Sequence, residues 1–331
     1  MATLKDVAKL ANVDVSTVSR ALNNTSYVHP ETKERVYAAA KELGYRPNAM
    51  ARALRQGHSR ILGVVVPRLH MTIFSEILQG IEAEAEKQGY MTTVCVTEDD
   101  PKVERDRLER LRDMGADGVI IAATGRNGRI LRDIRASGVP VVQLVRRQEL
   151  EMSSVVADYE ACGRDAVHYL ADKGCRAIGL IAGAQELAPY RGRYEGYRQA
   201  IRELGLEEIV SGSDRKVNSF GYGYECACAL LDENPELDAI IAAVDVQGLG
   251  AIRAAAERGL RIPEDLKIIS LTGHRVGRML ETTMTSLEMP AFDMGKTAAN
   301  LAIEEITADS RHKLAHRHIS FSSSLVERES T

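Results

Sequence analysis

From Ile61 onward, apolar runs of strand length alternate with amphipathic helical segments, and this alternation narrows the fold more than any other feature of the chain. The runs 61–66, 91–96, 118–123 and 139–145 are separated by helical patterns near 73–88, 103–114 and 128–137. A short run at 155–157 ends at Asp158, and the alternation then restarts. Strands at 177–182, 239–244 and 267–271 are interleaved with helices near 161–173, 194–204, 224–234 and 248–259. Strands that are apolar throughout, rather than alternately polar, are buried on both faces, which is the signature of parallel sheets sandwiched by helices. Two such series predict two doubly wound parallel-sheet lobes with a cleft between them, where ligands meet the carboxyl ends of the strands. The stretch 286–331, with a helix near 291–306 and a strand near 318–321, is expected to cross between the lobes and complete both. The expected lobes are 60–157 with 289–317, and 158–288 with 318–331.

The first sixty residues read differently, as short helices only. Thr3 with Asp6 forms a capping-box pattern, and Leu4, Val7, Ala8 and Ala11 make an apolar stripe at helical spacing. Asn12-Val13-Asp14 breaks that helix, and a second is expected over 15–22. A third runs from about 31 to 43, with Pro30 at its start and Gly44 as a left-handed cap. Two helices joined by a three-residue turn, the second rich in small polar residues, form a helix-turn-helix. The second helix would enter the major groove with Val15, Ser16, Thr17 and Arg20 near its exposed amino-terminal face. Arg can donate twice to guanine, and Ser or Thr can reach a base edge or a phosphate. Charge agrees with this division. Residues 1–60 carry ten Lys/Arg and five Asp/Glu, a net +5, whereas the whole chain carries −4, leaving −9 on the remainder. A basic head on an acidic body is the pattern of a chain whose head alone touches a polyanion.

Five scattered cysteines and a polar amino terminus point to a reducing cytoplasm, with no disulfide framework and no export signal. No run approaches the ~20 apolar residues that span a bilayer. An enzyme on a doubly wound fold is the rival class. The chain has no phosphate-binding Gly-x-x-x-x-Gly-Lys loop, no Gly-x-Ser-x-Gly and no His-Glu-x-x-His. His312, His316 and His318 cluster in sequence, but between a helix and a strand they read as surface histidines, so neither a metal site nor a cofactor is expected.

The segment TLKDVAKLANVDVSTVSRALNN, followed by VHPETKERVYAAAKELGYRPNAMARALRQG, resembles the amino-terminal signature of the LacI/GalR family of repressors. The resemblance implies a helix-turn-helix domain at 1–46, a hinge helix and linker at 47–59, and an effector-binding and dimerisation domain at 60–331. It implies a homodimer on a near-palindromic double-stranded operator, with the 15–22 helix in the major groove. The 48–56 segment would be a hinge helix that folds on DNA and enters the minor groove. Leu54 falls at the family's apolar wedge, Ala51 is small enough for close approach, and Arg52 and Arg55 can reach phosphates. Thr3, Asn23 and Asn48 join the implied DNA-contacting set. A packing role for Leu54 between head and body is the alternative. Asp14 departs from the family's usual Ser or Thr cap, and its charge near phosphate should cost affinity.

The resemblance continues through the body, which is also similar in plan to two-lobed periplasmic sugar-binding proteins. It implies effector contacts at Phe74, Asp158, Arg193, Phe220 and Asp245; for Phe74 a purely core role stays open. Two departures alter the implied cleft. Val244 replaces the usual Asn, and Thr272-Gly273-His274-Arg275 stands where relatives carry acids. His274, with Arg68, Arg191 and Arg193, would offer donors instead, which suits a phosphorylated or carboxylated sugar. The implied function is a repressor of a carbohydrate-utilisation operon, governed by a sugar or sugar phosphate. The helix after Pro290 carries one Lys and no Arg, so a phosphorylated carrier protein is not expected as co-repressor. The carboxyl terminus has no heptad tail, so a dimer is expected rather than a tetramer.

Overall fold

A computed structural model describes residues 2–23, 26–45, 57–69, 72–212, 219–273, 275–308 and 315–331. They fall into two units, Met1–Ser59 and Arg60–Thr331. The expected hinge segment 48–56 lies outside the described residues.

Among the described residues the smaller unit holds three helices, α1 (Leu4–Ala11), α2 (Val15–Asn23) and α3 (Pro30–Glu42). The capping box is formed: Thr3 N–H donates to Asp6 Oδ2 at 2.8 Å and Asp6 N–H donates to Thr3 Oγ1 at 3.4 Å. Asn12 ends α1 in the left-handed conformation (φ 52°), which an Asn tolerates better than most residues and which turns the chain sharply into α2. Asp14 opens α2 through its carbonyl, which accepts from the Thr17 and Val18 N–H groups. Val7, Val18 and Val36, all fully buried, bring one residue from each helix to the centre of the unit.

The larger unit contains two six-stranded sheets. Its strands are β1 (Ile61–Val66), β2 (Met91–Val96), β3 (Gly118–Ile121), β4 (Val141–Leu144), β5 (Ser154–Ala157), β6 (Ile178–Ile181), β7 (Ile209–Ser211), β8 (Ala239–Ala242), β9 (Lys267–Ser270), β10 (Thr285–Glu288), β11 (His318–Phe321) and β12 (Ser324–Val326). The first sheet runs β11-β5-β4-β3-β1-β2 and the second β12-β10-β9-β8-β6-β7, with all pairings parallel except β10–β12. The helices are α4 (Thr72–Lys87), α5 (Pro101–Asp113), α6 (Gly128–Ala136), α7 (Tyr159–Asp172), α8 (Ala188–Glu203), α9 (Phe220–Glu233), α10 (Asp245–Glu257) and α11 (Ala291–Thr307), with a 3₁₀ turn at Arg275–Arg278. Three segments join the lobes: β5 to α7, β10 to α11, and β11 to β12. Among the described residues, no helix is long and apolar enough to cross a membrane.

One boundary expectation is corrected. Strand β11 belongs to the first sheet, pairing in parallel with β5 through His318↔Ser154 to Phe321↔Ala157, rather than to the second lobe. The preceding helix α11 packs in the core of the first lobe, through Met294, Ala298 and Ala302, so the returning strand meets the open β5 edge first. The final crossing falls between Phe321 and Ser324, and β12 alone completes the second sheet.

Candidate functional site

A cavity of about 350 Å³, open to solvent, lies where the two lobes meet at the carboxyl ends of their strands. The first lobe contributes Phe74 near the start of α4, together with Val145 and Arg146 just beyond β4. The second contributes Tyr159 of α7, Tyr190 and Arg193 of α8, Val244 after β8 and Thr272 after β9. Met289 reaches in from the second crossing segment.

Arg193 sits on α8, not in the strand–helix loop expected from sequence, because α8 begins at Ala188 with Pro189 in its first turn. It is 2% exposed. Its Nη2 donates to the Leu271 carbonyl at 3.0 Å and reaches Met289 Sδ at 3.8 Å, while its guanidinium lies 5.2 Å from the centre of the Tyr159 ring. Arg146 is also buried. Its Nη1 donates to Asp99 Oδ1 at 2.5 Å and to the Ala123 carbonyl at 3.3 Å. The Nε of each arginine has no hydrogen-bond partner among the described residues.

The tyrosines stay protonated at neutral pH. Burial pushes the Tyr159 hydroxyl up to about 12, against the opposing charge of Arg193, and its proton is donated to the Val145 carbonyl at 2.8 Å. Burial raises Tyr190 as well, again opposed by Arg193 and Arg146. Rings, guanidinium donors and hydroxyls facing a small space can grip a compact polar molecule with ring faces, as a pocket with a few convergent polar groups does.

Of the sequence-predicted effector residues, Phe74 and Arg193 line this cavity. Phe74 also belongs to the first lobe's core, so both readings of it hold. Arg68 instead braces the strand ends, its Nε 3.1 Å from Glu98 Oε2 and its Nη1 3.4 Å from Asp99 Oδ2. Asp158 is exposed and caps α7, accepting from Ala161 N–H at 3.0 Å. Arg191 is exposed, its Nη1 donating to the Gln185 carbonyl at 3.3 Å. Phe220 is 49% exposed at the start of α9. Asp245 is buried behind the lining: its carboxylate accepts from Ser270 Oγ and from the Gly273 N–H at 3.1 Å, and its own N–H donates to Thr272 Oγ1 at 3.1 Å. It thereby fixes the β9 loop that presents Thr272. His274 lies outside the described residues.

Sequence reasoning missed Arg146, Tyr159 and Tyr190. Arg146 stands just past an apolar strand, as Asp158 and Asp245 do, but the family resemblance that pointed to those two did not single it out. His316 and His318 are engaged elsewhere: Arg135 Nη2 donates to His316 Nε2 at 2.7 Å, and Ser154 Oγ lies 2.9 Å from His318 Nδ1. Burial and the Arg135 charge hold His316 below its usual range.

In the smaller unit, Val15, Ser16 and Arg20 are exposed on α2 and Thr17 is half-buried, while Val18 and Ala21 on the opposite face are buried. Arg20 lies along its own helix, donating from Nε to the Ser16 carbonyl and from Nη2 to Thr17 Oγ1, both at 3.3 Å. Asn23 Nδ2 donates to the Ser19 carbonyl at 2.8 Å. Asn48, Ala51, Arg52, Leu54 and Arg55 lie outside the described residues.

A helix-turn-helix unit and a two-lobed body with a cavity between its lobes are the plan of a ligand-responsive transcription regulator. Comparison with known proteins agrees. Residues 3–48 match the profile of bacterial regulatory proteins of the lacI family, and residues 59–320 match that of periplasmic binding proteins and the sugar-binding domain of the LacI family. The chain belongs to the LacI family. It is 34% identical over 306 residues to a ribose operon repressor of Halalkalibacterium halodurans, covering 92% of this chain and 91% of that one. A solved complex of the transcriptional regulator CelR with cellobiose is similar at 29% identity and a TM-score of 0.74, covering all of both chains. The Lac repressor dimer bound to operator and the anti-inducer ONPF is similar at 25% identity and a TM-score of 0.86, covering 100% of this chain and 99% of that chain.

Proposed function

We propose that the chain is a cytoplasmic, homodimeric repressor of a carbohydrate-utilisation operon, whose grip on a near-palindromic operator is set by a sugar or sugar phosphate in the cavity between the lobes. The observation that carries this reading is the placement of Arg193 and Arg146, buried and with unsatisfied Nε groups, on opposite sides of that cavity. Buried donors of this kind are costly unless a ligand satisfies them. Similar proteins include a ribose operon repressor and a regulator solved with cellobiose, which supports a carbohydrate class. Val15, Ser16, Thr17 and Arg20 would read or brace DNA from α2, with Thr3 and Asn23 flanking. Segment 48–56 would act in the minor groove through Leu54, a role that rests on sequence. The ligand would change the angle between lobes and thereby the separation of the two hinge segments in the dimer.

Selecting bound duplexes from a random pool tests the DNA half of this reading. A near-palindrome of ~14–18 base pairs is expected, with binding that weakens steeply as salt rises. Leu54→Ala should weaken binding to the selected site at least tenfold, or about 1.4 kcal/mol. Failure to enrich any palindrome contradicts the reading, and unchanged affinity removes Leu54 from the contact.

A further inference from the structure

The acidic body carries one basic face, on the first lobe where α5 and α6 pack together. Lys102 and Arg105 on α5, Arg126 and Arg129 at the entry to α6, and Arg147 just beyond β4 are all exposed. None of them has an ion-pair partner among the described residues. Elsewhere exposed arginines are answered by acids on their own segment: Arg110 by Asp106, Arg253 by Glu257 and Arg261 by Asp265. The backbone under the basic face is held firmly. Glu104 of α5 is fully buried, and its carboxylate accepts from the Thr124 N–H at 2.7 Å and from Thr124 Oγ1 and Asn127 Nδ2, both at 2.8 Å. Asn127 Nδ2 also donates to the Pro101 carbonyl at 2.7 Å, which ties the first turn of α5 to the loop that carries Arg126. Glu149 lies over the start of α6, where a Cβ on Gly128 would collide with it, and it pairs with Arg132 at 2.7 Å. That contact brings the segment bearing Arg147 to the same face. The next residue, Leu150, is 71% exposed.

We propose that this face docks an acidic, amphipathic segment of another protein, whose carboxylates meet Arg105, Arg126, Arg129 and Arg147 and whose apolar side chain covers Leu150. Like charges held side by side repel one another, a cost that a partner of opposite sign removes. Guanidinium forks take carboxylates two bonds at a time, and a frame already fixed spares the partner the cost of ordering it. One exposed pair contributes little, so the docking depends on several acting together around a buried apolar contact. A nucleic acid fits less well. Leu150 offers it nothing, Glu149 would face its phosphates, and these residues include no aromatic ring on which a base could stack. The surface is a third contact of the chain, beside operator and effector.

Fluorescence anisotropy on the full chain tests this with a labelled helical peptide of about 20 residues, built from Glu, Ala and Leu so that one face is acidic and another apolar. The same peptide with Gln in place of Glu is the control. The Glu peptide should bind at least tenfold more tightly than the Gln peptide, with an affinity that falls as salt rises. The double variant Arg126→Gln, Arg129→Gln should lose at least tenfold in affinity for the Glu peptide, and Leu150→Ser should weaken it as well. Both arginines are exposed, so the melting temperature of the double variant should match that of the native chain. If it does not, Arg147→Gln repeats the comparison from a different segment. Equal binding of the two peptides, or silence from both, overturns the proposal. An affinity for the Glu peptide that the arginine variants leave unchanged places the peptide elsewhere, the basic amino-terminal unit included, and overturns it too. A random-sequence duplex whose affinity falls tenfold in the double variant, with peptide binding unaltered, gives the face to nucleic acid instead.

Discussion

At the residue scale, the cavity is built from groups whose charge state is fixed by their surroundings. The Arg146–Asp99 pair is buried on both sides, so removing one partner strands the other in low dielectric. Arg146→Ala should cost about 3 kcal/mol, near the lower end for broken buried pairs because Arg68 remains 3.4 Å from Asp99. Chemical denaturation of the native chain and the variant checks this, and a loss below about 1 kcal/mol would mean that the pair is solvated in solution. Tyr159 gives a pH prediction of definite sign. Its hydroxyl is raised from 10 to about 12 because burial disfavours phenolate. A group whose folded pKa is raised adds stability that is complete below pH 10 and is lost as pH climbs towards 12. Melting temperature followed against pH should therefore fall in that window, and less steeply in Tyr159→Phe. Superimposable profiles would show that Tyr159 is not the group responsible.

At the scale of elements, close helix pairs hold the site's residues in place. A Cβ on Gly163 of α7 would lie 2.1 Å from the Arg193 carbonyl oxygen, and one on Gly196 of α8 would lie 1.9 Å from the Glu160 carbonyl oxygen. Backbone-to-backbone approach of this kind needs glycine on both helices, and it sets how far Arg193 stands from the cavity. Gly196→Ala should destabilise the chain by about 1–3 kcal/mol, measured by circular dichroism melting, because two packed helices must separate. A variant as stable as the native chain would mean that the helices can slide apart freely. What was legible in the sequence follows the same logic of local against distant contacts. The cap at Thr3, the turn at Asn12 and the alternation of strands with helices are local signals, and all were readable. The strands β7, β10 and β12 have three or four residues each and owe their existence to partners far away in sequence, so no run of residues announced them. The edge that β11 joins was unreadable for a related reason, since it depends on which lobe α11 packs against. Arg193 was found, but on the wrong kind of element, because Ala188-Pro189 looks like a loop and is the first turn of a helix. Asp245 was carried over from the family resemblance. Its neighbours Ser270 and Gly273 come from another strand and turn its carboxylate away from the cavity.

At the scale of the whole molecule, the chain divides its labour between a basic amino-terminal unit and an acidic two-lobed body, and the central claim is that the ligand of one governs the DNA of the other. Three chain crossings join the lobes, so any closure on a ligand must bend all three together, which favours two discrete states over a continuum. Coupling between two sites is a free energy, and by linkage each ligand alters the affinity of the other by the same factor. The most direct measurement is the affinity of the purified protein for its selected operator duplex, by fluorescence anisotropy at fixed salt, with and without the compound that most raises its melting temperature. The account predicts a change of at least tenfold in one direction or the other, and its loss in Arg193→Gln. An operator affinity that is the same with the cavity saturated as without it would contradict the account.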